Sequence, residues 1–327
     1  MSELRGILVE QVERLVADAG GVAPLREVEA GQFPQALWDG LSEQGLALAL
    51  VPEEAGGVGL SWGDAAALWQ VLGKHGAPVP MAEAMLGAAL LSAAGVEVPD
   101  GVLALGEKGA PFGRHAANAV KLDGARLTLH PVEGANPGAN IGREPRDDLT
   151  LAPRSAAGIL PNSHGPRALR LGLALIRAAQ IAGALERILA LAVDWANTRK
   201  QFGRPIGKFQ AVQQQLAAMA GEVAAVQVAV SNAARAVDAR GLAEAGFEIG
   251  CAKVVAGEAA TFGAATAHQV FAAIGITEDH ELHHFTRRLW AWREEGGTDR
   301  AWAAEIGKLA LARGGANLWP DLTARDA

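Results

Sequence analysis

Two short segments carry side chains whose types and spacing could do chemistry. The first, RKQFGRPIGKFQAVQ at residues 199–213, sets Arg199, Gln201, Phe202 and Gln210 in a break between two long helical patterns. A forked, always-charged arginine suits a pyrophosphate, and the Phe202-Gly203 turn lets the backbone approach a cofactor closely. By themselves, Arg and Gln at a helix junction also suit capping or a solvated surface. The second segment, His280-Glu281-Leu282-His283-His284, satisfies the HExxH pattern of zinc peptidases. On a helix His280 and His284 would share a face, with Glu281 as general base and Glu305 as a third ligand, which makes a zinc hydrolase a distant alternative. So short a pattern recurs by chance, and a solvated, partner-facing helix with no metal is the expected reading.

These segments must be held by long helices. The pattern Ala168 to Asn197 places Leu171, Leu175, Ala178, Ala182, Leu185 and Leu189 on one face. The next carries Val212, Leu216, Met219, Val223, Val226 and Val230 in alternating four-three spacing, a bundle seam. A third carries Ile249, Ala252, Ala256, Ala259, Gly263, Thr266 and Val270, small residues that allow close approach. A helix from about Thr298 to Arg313 would complete a four-helix bundle over residues 165–327.

Residues 1–100 read as a helical domain, with helices over Leu4 to Ala19, Phe33 to Gln44, Ser61 to His75 and Met81 to Ala94. The connection holding Gly56, Gly57 and Gly59 lacks the strand and lysine-bearing helix of a phosphate loop, and is expected to be a structural turn. Residues 101–164 change to short alternating runs, a small β-domain. Within it Val120 and Leu122 face Leu127 and Leu129 across Asp123-Gly124, a hairpin signal. The fold expected is mainly α with a short middle β-domain.

The chain has 327 residues, enough to bury a large core, and a length prior of about two domains. Half its residues are hydrophobic and only 5% aromatic, with Ala, Leu and Val dominant, which favours helices. A net charge of −7 argues against a nucleic-acid partner, so a phosphate-bearing ligand needs a local basic patch. The single cysteine, Cys251, excludes an internal disulfide framework and reads as packing. The first residues mix acids and bases without a signal-peptide core, and no apolar run reaches spanning length, so a cytoplasmic protein with no membrane insertion is expected.

The segment 199–213 resembles the flavin-binding signature of the acyl-CoA dehydrogenases, and the VPEEAGGVGLSW connection resembles that family's N-terminal helical domain. The resemblance implies FAD bound across a subunit interface and reached by Arg199, Gln201, Phe202 and Gln210. HQVFAAIGITEDHELHHFTRR resembles a second contributor to the neighbouring subunit's FAD and adds Gln269, Ala272 and Ala273. Relatives carry two glycines where this chain has Ala272 and Ala273, so each added methyl narrows the approach to the adenosine pyrophosphate.

The family's reaction removes an α proton of an acyl-CoA thioester with a carboxylate while the β-hydrogen leaves as hydride to flavin. In most relatives the base is the Glu of an EGT turn. Counting without a gap from Arg287 puts Gly296 there, followed by Gly297 and Thr298; one inserted glycine makes Glu295 the base, with Glu294 as its alternative, a surface carboxylate flanking the helix as the other reading, and Thr298 close to the cofactor. Other branches take the base from the first bundle helix, near Leu175, Ile176 and Arg177, where no carboxylate stands. The middle domain lacks the TEP.aGSD and WIT segments that cover flavin and acyl chain in full-length relatives. Together these departures resemble the truncated subunit of heteromeric acyl-CoA dehydrogenases, such as those acting on steroid side-chain thioesters. The implied assemblies are an α2β2 heterotetramer with a full-length partner, or a homodimer or homotetramer, passing electrons to an electron-transferring flavoprotein. A scaffold subunit that binds no FAD is the other expectation.

Overall fold

The computed structural model describes residues 3–19 and 21–325. The amino-terminal part is built from α1 (Glu3–Asp18), α2 (Ala23–Glu29), α3 (Gln35–Glu43), α4 (Trp62–His75) and α5 (Met81–Ala93). Ser61 caps α4 by accepting from the Asp64 backbone N–H, and Gly76 ends it in the left-handed region at φ 60°. The glycine-rich connection is a structural turn: Gly57 lies so close to the Val51 carbonyl that an added Cβ would sit 2.1 Å from its oxygen. α2 has no counterpart in the helices read from the sequence.

A six-stranded sheet follows. It contains β1 (Leu103–Leu105), β2 (Ala110–Pro111), β3 (Asn118–Asp123), β4 (Arg126–Asn136), β5 (Arg146–Leu151) and β6 (Ala156–Ile159). The strand order is β1-β3-β4-β5-β2, with β6 also pairing β4; only β1 and β3 run parallel. The hairpin pairs Val120 with Leu129 and Leu122 with Leu127, as the alternation requires. Its tip is Gly124-Ala125 rather than Asp123-Gly124, because Asp123 still pairs with Arg126.

Three long helices form the bundle: α6 (Ala168–Thr198), α7 (Gln210–Arg240) and α8 (Gly246–Phe271). They are followed by α9 (Leu282–Glu294), α10 (Asp299–Arg313) and α11 (Gly315–Thr323). The α7 seam buries Met219, Val223, Val226 and Val230, and the small residues of α8 are buried as their spacing demands. α6 is central, packed against α4, α7, α8 and α9, and is enclosed on every side from Leu171 to Leu185 apart from Leu173. Its crossing with α4 depends on two glycines: a Cβ on Gly183 would meet the Gln70 carbonyl oxygen at 1.8 Å, and one on Gly73 would meet that of Gln180 at 2.1 Å. The fourth bundle position differs from expectation. α9 packs on both α6 and α8 and buries Leu282, Phe285, Leu289 and Trp292, whereas α10 lies on α8 and buries only Trp302.

One hydrophobic core runs through the amino-terminal helices, the sheet and the bundle. Three helices, Ala168–Thr198, Gln210–Arg240 and Gly246–Ile276, are long and apolar enough by length and composition to cross a membrane, which corrects the expectation that nothing reaches that length. In α6 that apolarity is spent on packing, since 83% of its most apolar window is buried; in α7 only 28% is.

Candidate functional site: an open cleft and a closed ion cluster

α6 gives way at Arg199 to a two-stranded hairpin, β7 (Lys200–Gln201) and β8 (Arg204–Pro205), whose tip is Phe202-Gly203. Both tip residues have positive φ, 51° and 79°. That conformation is easy for glycine and strained for phenylalanine, and it holds the Phe202 side chain 92% exposed. A single tight turn then leads to Phe209, which precedes α7. The Arg204 guanidinium lies over the Phe209 ring at 4.3 Å.

Opposite this hairpin α8 ends at Phe271, and the chain turns through Ala272–Ile276. Hairpin and turn enclose a cleft of about 560 Å³ that brings together Arg199, Gln201, Phe202, Gln269, Ala272 and Ala273, six positions drawn from segments about seventy residues apart in sequence. Among the described residues, the side chains of Arg199, Lys200 and Lys208 make no hydrogen bond or ion pair, and Arg204 has only its ring contact. On a chain of net negative charge this is the local basic patch that a phosphate-bearing ligand requires. Trp195 and Phe271, which the sequence analysis does not single out, also line the cleft. The donor set fits a dinucleotide: the unpaired Arg199 for phosphates, with further cations on the adjoining hairpin, amides for hydroxyls and ring nitrogens, aromatic faces for a base.

Ala272 stands at φ 56°, ψ −141°, a conformation natural to glycine. The methyl therefore sits on a backbone path that glycine follows freely. The chain keeps the glycine turn and bears a local strain of about 1–3 kcal/mol.

Two expected cofactor contacts lie elsewhere. Gln210 is the first residue of α7, exposed and outside the cleft lining. Thr298 caps α10, its hydroxyl accepting from the Ala301 N–H at 3.0 Å.

Glu295 follows α9 and is saturated with donors. Arg146 Nε and Asn140 Nδ2 donate to its Oε1 at 2.8 and 2.9 Å, while Arg177 Nε and Arg146 Nη2 donate to its Oε2 at 2.7 and 2.9 Å. Burial alone would raise its pKa, but the Arg146 and Arg177 guanidiniums outweigh that and hold it at about 2. A carboxylate so held is a poor proton acceptor near neutrality, which counts against the expected role of Glu295 as base. Arg177 also donates to Glu83 of α5 and to Gln180, and Arg146 to Glu144. Trp292 Nε1 completes Glu144 at 2.9 Å. The cluster thus ties α5, α6, α9 and the sheet together from within.

The HExxH segment is not a metal centre. α9 begins only at Leu282, so His280 lies before the helix, its Nδ1 accepting from the Leu282 N–H. His284 points the other way, into Glu29 of α2 at 2.8 Å, a carboxylate shared with Arg287. Glu305 is committed to Arg167 and Arg170. Among the described residues no group of acids, histidines or cysteines could hold a metal ion. Glu186 of α6 meets Lys74 and Gln227.

Comparison with known proteins agrees with this architecture. Residues 5–98 match the model of the acyl-CoA dehydrogenase N-terminal domain, and residues 171–311 that of the C-terminal domain. The chain is 33% identical over 300 residues to the acyl-CoA dehydrogenase IpdE2 of Mycobacterium tuberculosis, covering 88% of this chain and 91% of that one. Among solved structures it is similar to a variant of the Tcur3481-Tcur3483 steroid ACAD, with a TM-score of 0.81, 25% identity and coverage of 96% and 99% of the two chains. The ChsE4-ChsE5 complex of Mycobacterium tuberculosis shares the fold, with a TM-score of 0.80, 24% identity and coverage of 94% and 97%. With its helical domain, its small sheet and its bundle all accounted for, this chain belongs to the acyl-CoA dehydrogenase family.

Proposed function

We propose that this chain is the cofactor-completing subunit of a heteromeric acyl-CoA dehydrogenase, contributing its open cleft to FAD held chiefly by a full-length partner. The observation that carries this reading is the contrast between two sites: the cleft presents the unpaired Arg199 and an exposed aromatic, whereas Glu295, the candidate for the family's base, is closed in by ion pairs. When bound, FAD supplies the hydride acceptor. Arg199 would hold the pyrophosphate by charge. Phe202, held out from the hairpin tip, would pack on the cofactor and exclude water. Gln201 and Gln269 orient it through amide hydrogen bonds. The α-proton is removed by a carboxylate of the partner, because Glu295 is already engaged. An electron-transferring flavoprotein would be the electron acceptor of the assembled enzyme.

The pairing of chains named in the ChsE4-ChsE5 and Tcur3481-Tcur3483 structures supports a heteromer, for which α2β2 is the form we propose, and the latter's description supports a steroid-derived acyl-CoA. The outer face of α7, apolar and little buried, suits coverage by that partner. The test is a flavin absorption spectrum and native mass of the chain purified alone and after co-expression with a full-length homologue. A colourless chain that gains FAD in a mixed tetramer is expected. FAD bound by the chain alone and bleached by an acyl-CoA would replace this reading with a self-sufficient homo-oligomer. No FAD in either preparation would leave a scaffold.

A further inference from the structure

Phe271, immediately before the strained Ala272, is held between two rings. Trp195 of α6 stacks on it with centroids 5.2 Å apart and planes 21° from parallel, and His280 packs on it at 4.4 Å. Beneath it Gly275 fits so tightly that an added Cβ would come within 2.8 Å of Phe271 Cβ. His280 is itself fixed by the Leu282 N–H. The turn that forms one wall of the cofactor cleft is therefore anchored at its first residue by α6 and at its far end by the start of α9.

We infer that Trp195 and His280 act as a clamp on Phe271 that holds Ala272 in its glycine-like conformation and so keeps the cofactor cleft open. Trp195 is on this account a positioning residue. An alanine at φ 56° relaxes unless its surroundings over-determine it, and relaxation would swing the 272–276 turn across the space between Gln269 and the hairpin. The clamp explains how the cleft tolerates the methyl that the resemblance to glycine-bearing relatives marks as unfavourable. It rests on the reading of the cleft as a cofactor site only for its consequence, since the conformation of the turn can be read without cofactor.

The test is a double-mutant cycle with two readouts. In the chain without flavin, hydrogen exchange at the Ala272 amide, which donates to the His268 carbonyl, should accelerate in Trp195→Leu and remain slow in Trp195→Phe. In the mixed assembly, Trp195→Leu should weaken FAD by about tenfold, the scale of one such strained residue. Ala272→Gly should restore most of that loss and have a much smaller effect where Trp195 is present. Unchanged exchange in Trp195→Leu overturns the clamp whether or not FAD binds. A loss of FAD that Ala272→Gly does not repair also overturns it, leaving Trp195 as a direct cofactor contact. If the wild-type assembly takes up no FAD while exchange behaves as expected, the clamp stands and the functional reading fails.

Discussion

Arg177 Nε donates to Glu295 Oε2 at 2.7 Å. This single bond joins the two places from which acyl-CoA dehydrogenases, by the resemblance drawn above, take their catalytic base: the turn after the paired arginines and the middle of the first bundle helix. With one glycine inserted, the first position holds a carboxylate, Glu295, and the second holds its cation, Arg177. Burial disfavours the Arg177 charge, but Glu83 and Glu295 outweigh it and raise its pKa.

Replacing Glu295 by Gln should therefore cost stability rather than catalysis. Removing the shared carboxylate leaves the buried Arg177 with Glu83 alone and Arg146 with Glu144 alone, a loss of up to about 3–5 kcal/mol. Melting temperature should fall steeply, while turnover per folded mixed assembly stays near wild type. A stable Glu295→Gln protein with turnover down about a thousandfold would restore Glu295 as the base.

Acid should unfold the chain through the same cluster. Glu295 and Glu29 both have folded pKa values of about 2, below the ordinary carboxylate value; in each, burial opposes and the ion partners prevail. Depressed values contribute stability that is present above about pH 4.5 and lost as pH falls toward 2. Melting temperature against pH should drop across that window, and Glu295→Gln should flatten the drop. A profile unchanged by the substitution would contradict the assignment.

Lys253 runs the opposite way. It is fully buried and donates to the Arg293 carbonyl at 2.6 Å; burial lowers its pKa to about 8. The unfolded chain then binds the proton more tightly, so stability rises as pH passes from about 8 to 10.5. Lys253→Met should abolish this rise and leave stability at pH 7 equal or higher, because a well-packed apolar side chain replaces a buried charge. Chemical denaturation at pH 7 and pH 10 checks both.

Gly183→Ala should disrupt the α4–α6 crossing. Its methyl would meet the Gln70 carbonyl oxygen at 1.8 Å, a backbone atom that cannot rotate aside. The expected cost is about 3 kcal/mol or more, the upper range for overpacking, read as a fall in denaturant midpoint.

Much of this fold was legible because it obeys periodicity. The α7 seam and the small stripe of α8 pack as their spacing dictates, and the β3–β4 register follows from alternation. The cleft was legible only as a resemblance, and its gathering of Arg199 with Gln269 depends on tertiary geometry that no local pattern encodes. Trp195 was hidden because an aromatic near a helix end carries no signal that separates packing from lining. The role of Arg177 was hidden for a similar reason: the absence of a carboxylate in α6 was visible, but not the partner that would reach it from α9. Thr298 precedes an acidic first turn, a capping pattern that could have been preferred to a cofactor contact from sequence alone.

The central claim is that this chain lends its cleft to a partner's flavin, and Arg199→Ala tests it most directly. The side chain is exposed and has no internal partner, so the melting temperature of the chain alone should not move. FAD titrated into the mixed assembly should bind about tenfold or more weakly, the loss of one charge-assisted contact of about 1.5–3 kcal/mol. FAD held at unchanged affinity by the Arg199→Ala assembly would contradict the account.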